Sequence, residues 1–221
     1  RTPSFNRLGI TAFPIFKIAT IDKENIIELG ALWNQKSHGL TASFQYKLIQ
    51  NFQYFGSGFQ PMVYDKGLSY VKGTVSNQMK LSRHWNWYNE LTLQLVDPNA
   101  PLHLPVIFTR QRLAFEGNFF KNLFLSTGLE MIYHSAFRPD AYMPLTGQFY
   151  LQDQFTTNNR PIANVFLNFR IKRFKGFIRM EQLNTLLATS NQLGTRYQFT
   201  APNYPGTGTW LRVGIWWNFI N

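Results

Sequence analysis

Two stretches set a hydroxyl beside an imidazole, Ser82-Arg83-His84 and His134-Ser135, which raises acyl transfer as a first chemistry to test. That chemistry needs a serine, a base and an orienting acid within hydrogen-bond reach, which adjacency in a strand does not provide. Both pairs therefore read as polar residues at strand ends, and no catalytic residue is assigned. The chain is not expected to be an enzyme. The four histidines, at 38, 84, 103 and 134, show neither HxxxH nor HExxH spacing, and cysteine is absent. Thiolate metal sites and disulfides are thereby removed. Asp22, Glu24 and Asn25 lie together but read as a solvated turn. No metal and no cofactor is expected.

What remains is charge, and its placement is regular. Lys47, Lys72, Lys80, Glu90, Arg110, Arg112, Glu116, Glu130, Arg170, Lys172, Lys175, Arg179, Glu181 and Arg212 each share an alternating face with Thr, Ser, Gln, Asn or Gly. The alternate positions are Leu, Val, Ile, Phe, Met and Trp almost throughout. A period of two is the mark of β-strands, whose successive side chains point to opposite sides. The last segment shows it well: Leu211, Val213, Ile215, Trp217 and Phe219 oppose Trp210, Arg212, Gly214, Trp216 and Asn218.

Applied along the chain, this periodicity predicts about eleven strands, near 5–19, 27–33, 40–48, 52–64, 70–81, 87–95, 105–118, 123–133, 163–172, 174–181 and 209–219. The segment 52–64 is interrupted by Gly56, Gly58 and Pro61, and Pro14 fits an edge or bulge. Helical spacing is not sustained for three turns anywhere. Several of these strands run past ten residues, longer than the five or six usual in soluble sandwiches. About ten residues is what a tilted strand needs to cross a bilayer. A lipid-facing Arg or Lys at the midplane costs about 2–4 kcal/mol, which explains the strict segregation of charge. The expectation is an all-β, transmembrane antiparallel β-barrel over residues 1–221, as a single barrel domain or a barrel fragment.

Composition agrees. Of 221 residues 44% are hydrophobic and 17% aromatic, while 22 Lys and Arg against 11 Asp and Glu give a formal charge of +11. A basic, aromatic-rich chain also fits a soluble all-β domain that binds nucleic acid. Base stacking needs aromatics and bases on one face, however, and most in-strand aromatics here fall on the apolar one. Nucleic acid is therefore not the expected partner. No run of 18 apolar residues provides a membrane helix. Counted back from a periplasmic end, the connections at 173–174, 119–121, 83–84, 51–53 and 20–24 are short. Those at 188–208, 136–160 and 98–104 on the other side are long. The short connections at 65–66 and 36–37 break that pattern.

From residue 137 the wording resembles a known family. Pro144 to Tyr150 (PLTGQFY), Val165 to Asn168 (VFLN), Ile171 to Arg173 (IKR) and Ala201 to Pro205 (APNYP) resemble the putative porins of Bacteroidota. The final motif also resembles the C-termini of TonB-dependent receptors. Two positions depart from the pattern: Gly206 follows the YP pair, and the chain ends on Asn221 with Phe219 two residues back. The resemblance implies a pore in the outer membrane of a Gram-negative bacterium, for passive diffusion of small hydrophilic solutes. It also implies that this chain is the C-terminal part of a larger barrel, in line with its start at Arg1 and its odd strand count. A barrel subunit of a larger uptake or secretion complex is the alternative. The expected partners are outer-membrane lipid, small hydrophilic solutes and other outer-membrane proteins. Candidate pore-lining residues are Arg110, Arg112, Glu116, Glu130, Arg170, Lys172, Lys175, Arg179, Glu181 and Arg212. Their excess of bases predicts a preference for anions.

Overall fold

Long runs with a period of two leave the chain little choice but extended pairing, and the computed structural model is dominated by one antiparallel sheet of nine strands. The structure describes residues 23–157, 159–187 and 199–218. In chain order the strands are β1 (Asn25–Gln35), β2 (Leu40–Gln50), β3 (Phe52–Phe55), β4 (Pro61–Tyr64), β5 (Leu68–Lys80), β6 (Trp85–Val96), β7 (Ile107–Phe119), β8 (Leu123–His134), β9 (Ala141–Met143), β10 (Gln148–Tyr150), β11 (Ile162–Ile171), β12 (Phe174–Glu181), β13 (Phe199–Ala201), β14 (Tyr204–Pro205) and β15 (Trp210–Trp217). The sheet order is β1-β2-β5-β6-β7-β8-β11-β12-β15, a plain meander. The remaining strands form three small hairpins, β3–β4, β9–β10 and β13–β14. No ladder joins the edge strands β1 and β15 among the described residues, and the segment 5–19 lies outside them.

One strand assignment is corrected. The segment 52–64 does not enter the wall but folds on itself, Phe52 pairing with Tyr64 and Phe55 with Pro61. Its glycines and proline are the cause: Gly56 accepts from Phe59 N–H at 2.9 Å and donates to Gln60 O at 3.0 Å, closing a tight reversal. Removing that strand changes the side of everything before it. The turns at 36–39, 81–84, 120–122 and 172–173 now share one end, and the connections at 51–67, 97–106, 135–161 and 182–209 share the other. The irregularity expected from the sequence disappears, and short turns alternate with long loops throughout, as in outer-membrane barrels.

The two faces of the sheet are inverted relative to a water-soluble protein. Leu129 is 58% exposed and Ile215 74%, and Leu93, Leu95, Leu211 and Val213 on the same face are also exposed. The buried wall residues Thr92, Ala114, Ser126, Glu130, Asn164 and Phe166 sit on the polar face, while Gly176 on the apolar face is buried only beneath the Phe169 ring. Aromatics gather on the apolar face at the short-turn end, where Trp85 packs on Phe115 at 5.4 Å and Phe174 on Trp217 at 6.0 Å. Such a band is what a strand end presents to the water–lipid boundary.

At the other end the loops meet one another. Leu151 N–H donates to Phe55 O at 2.7 Å, and Phe59 stands edge-on to Tyr150 at 4.7 Å. Tyr142 likewise meets Tyr204 at 5.6 Å. The first two contacts join connections that leave the wall on either side of β6 and β7, so the loops close over that end of the sheet.

Candidate pore wall

The charged face is built by register. Arg110 and Arg112 stand two apart on β7, so both point the same way. Across the ladder Arg112 opposes Glu130 of β8, and Glu130 opposes Asn164 of β11. Glu130 is only 2% exposed. Its Oε2 accepts from Arg110 Nε at 2.8 Å and Nη2 at 2.5 Å, and its Oε1 accepts from Asn164 Nδ2 at 3.2 Å and from Arg179 of β12. A buried carboxylate is tolerated when each lone pair has such a donor.

Two further glutamates repeat the arrangement. Glu116 accepts from Asn86 Nδ2 at 2.8 Å, the Tyr88 hydroxyl at 2.7 Å and Ser126 Oγ at 2.8 Å, with Arg112 Nη2 at 3.8 Å. Glu181 lies 3.1 Å from Arg179 Nε and 3.2 Å from Arg212 Nη1, and accepts from Trp210 Nε1 at 2.9 Å. Arg179 and Arg212 oppose each other directly in the ladder, and Glu181 between them offsets the like-charge repulsion.

Packing supports the lattice at one point in particular. Phe166 of β11 stands opposite Gly128 of β8 on the polar face, and is buried. A Cβ at Gly128 would run into the Leu113 carbonyl oxygen, so the backbones approach here as only glycine permits. The Arg112 guanidinium then covers the Phe166 ring at 4.1 Å from its centroid, a cation–π contact. Arginine and aromatic are thus turned onto the wall itself. A groove of about 280 Å³ opens beside them, lined by Ser76, Gln78, Tyr88, Glu90, Arg110 and Arg112 among others.

Nine of the ten candidate residues lie on this one face, and register brings seven of them into a network of two adjoining clusters, Arg110, Glu130, Arg179, Glu181 and Arg212 in one and Arg112 with Glu116 in the other. Arg170 and Lys175 share the face but not the network. Lys172 does not share the face: it sits in the two-residue turn after β11, with φ of 51°. The sequence reading missed Asn86, Tyr88, Ser126 and Asn164 as partners of the glutamates. It also missed Phe124 and Phe177 as members of the polar face. Parity was the available signal, since Phe124 precedes Ser126 by two and Phe177 follows Lys175 by two.

The family model for putative porins matches residues 16–221. No curated protein and no solved structure matches the chain. Porins carry out transport rather than catalysis, and a sheet with one polar and one apolar face is consistent with the wall of such a protein. With the match covering nearly its whole length, this chain belongs to the putative porin family.

Proposed function

We propose that the polar face lines an aqueous lumen in the outer membrane of a Gram-negative bacterium and passes small hydrophilic solutes by diffusion, with a preference for anions. One observation carries the preference. All three glutamates of the network, Glu116, Glu130 and Glu181, are engaged by arginines, whereas Lys72, Lys80, Arg170 and Lys175 form no ion pair with a described residue. The network largely cancels itself, and although Glu90 on the same face also forms no ion pair with a described residue, the four unpaired cations outnumber it, so the net uncancelled charge is positive. Fixed cations along a pore select anions. Reversal potentials in a planar bilayer under a potassium chloride gradient test this. Chloride selectivity that weakens in K72Q/K80Q is the expected result, and cation selectivity in the unaltered protein would overturn it.

The short-turn end is the periplasmic one in this reading, by its resemblance to the turns of outer-membrane barrels. A cysteine at Ser57, in the β3–β4 reversal, is then labelled on intact cells by an impermeant reagent. A cysteine at Asn122 is not. The opposite result inverts the orientation.

A second reading, a wall within a larger outer-membrane assembly, is favoured by one feature. Asn77, Asn89 and Gln111 stand side by side in register on the otherwise apolar face. Gln111 is satisfied locally, accepting from Trp87 Nε1 at 3.1 Å and donating to Thr109 Oγ1 at 2.9 Å. Asn77 Nδ2 donates to the His38 carbonyl at 3.2 Å, whereas the Asn89 side chain forms no hydrogen bond with a described residue. Leucine at all three positions should release any tightly held protein partner from the purified complex, and leave a lone barrel unchanged.

A further inference from the structure

At the short-turn end of the polar face, four strands bring their residues together in two rows. Phe124 of β8, Arg170 of β11, Lys175 of β12 and Trp216 of β15 are successive register partners. One step further from the turn, Asn168, Phe177 and Gly214 form the second row. These residues line a cavity of about 440 Å³, a size that holds a small organic molecule. Its depth comes from Gly214, where a Cβ would collide with the Phe177 ring, so the phenyl lies across bare backbone.

The charges of this pocket are set differently from those of the network. Arg170 and Lys175 oppose each other directly, an arrangement that weakens a ladder unless something negative lies between them. Neither forms an ion pair with a described residue, and both are exposed. The Arg170 guanidinium lies 5.4 Å from the Phe124 ring centroid, which holds it over the floor. Two adjacent cations flanked by aromatic rings on both sides match a guest with one negative group and a flat apolar body. A small hydrated anion would use only the cations, and a neutral aromatic only the rings.

We propose that this pocket is a binding site for aromatic carboxylates on the transport path. Arg170 and Lys175 hold the carboxylate, the Asn168 amide donates to it, and the guest's ring rests against Phe177 and Trp216. The proposal deepens the transport reading above, because it requires the polar face to be open to solute.

Titration of the purified full chain in detergent with benzoate, followed by tryptophan fluorescence, tests the site, with W216F identifying the share of the signal due to Trp216. Benzoate is expected to bind at least about tenfold more tightly than acetate or benzyl alcohol. R170Q/K175Q should bring it down to the benzyl alcohol level, and F177A should weaken benzoate while leaving acetate as it was. K121Q, in a neighbouring turn outside the pocket, should change nothing. Equal binding of acetate and benzoate overturns the proposal, as does undiminished benzoate binding by R170Q/K175Q. Reversal potentials separate this from the transport reading. A cation-selective channel that still binds benzoate through Arg170 and Lys175 refutes the anion preference and upholds the site. An anion-selective channel indifferent to the benzoate ring refutes the site alone.

Discussion

The network around Glu130 and the pocket around Arg170 lie on the same face of adjoining strands, yet they handle charge in opposite ways. In the network each carboxylate is surrounded by donors, and the arginines on either side exist as much for the wall as for any solute. In the pocket two cations stand together with no acid among the described residues and with aromatic rings as their neighbours. Burial separates the two. Glu130 is nearly inaccessible, so an unmatched charge there would be costly, whereas Arg170 and Lys175 keep their water and can wait for a counterion. One region is a structural element that happens to be charged. The other is a surface whose charge is available.

Glu130→Ala tests that contrast most severely. It removes the charge-assisted hydrogen bonds from Arg110 and Arg179, leaves the buried Asn164 amide without its acceptor, and should cost about 3–4 kcal/mol in urea unfolding of the protein. A loss under 1 kcal/mol would mean that the network is no more than a chain of surface pairs. Phe166→Ala comes next, at about 3 kcal/mol by the same measurement, because a buried ring and the seat of the Arg112 guanidinium are both removed. The equivalent change at Phe177, which is partly exposed, should cost well under half as much.

Gly128→Val sharpens the point about backbone approach. The added Cβ must displace the Leu113 carbonyl, and a penalty of about 1–3 kcal/mol is expected. Gly73→Val, with open space around its position, should be tolerated. The smallest effect has the opposite sign. Lys175→Gln removes a like-charge pair and should stabilise the wall by a few tenths of a kcal/mol, about the size of a single cross-strand interaction. A clear destabilisation by Lys175→Gln would show that the pocket cations are structural after all.

The chain's own alternation determined a great deal. It placed the wall strands β5, β6, β7, β8, β11, β12 and β15 to within about two residues, though not the small hairpins β9–β10 and β13–β14, and it put Arg110, Arg112, Glu130 and Arg179 on one face, because side-chain direction in a strand depends only on position parity. It also exposed the C-terminal strand and its arginine, Arg212. It misjudged 52–64, where a period of two was present but two glycines and a proline allowed the segment to turn back on itself. It misplaced Lys172 for a related reason: parity holds only while the strand lasts, and the strand ends at Ile171.

Partnership was beyond it. Glu130 and Arg179 are 49 residues apart, and nothing local says that β11 brings β8 and β12 to adjoining positions in one register. The same holds for the pocket, whose two cations are local to one hairpin but whose rings come from β8, β12 and β15. Sequence by itself settled which face a residue takes while its wall strand lasts, since that is a property of one strand. Only the tertiary structure decided which charges are paired and which are left open, since pairing is a property of strands that meet across the sheet.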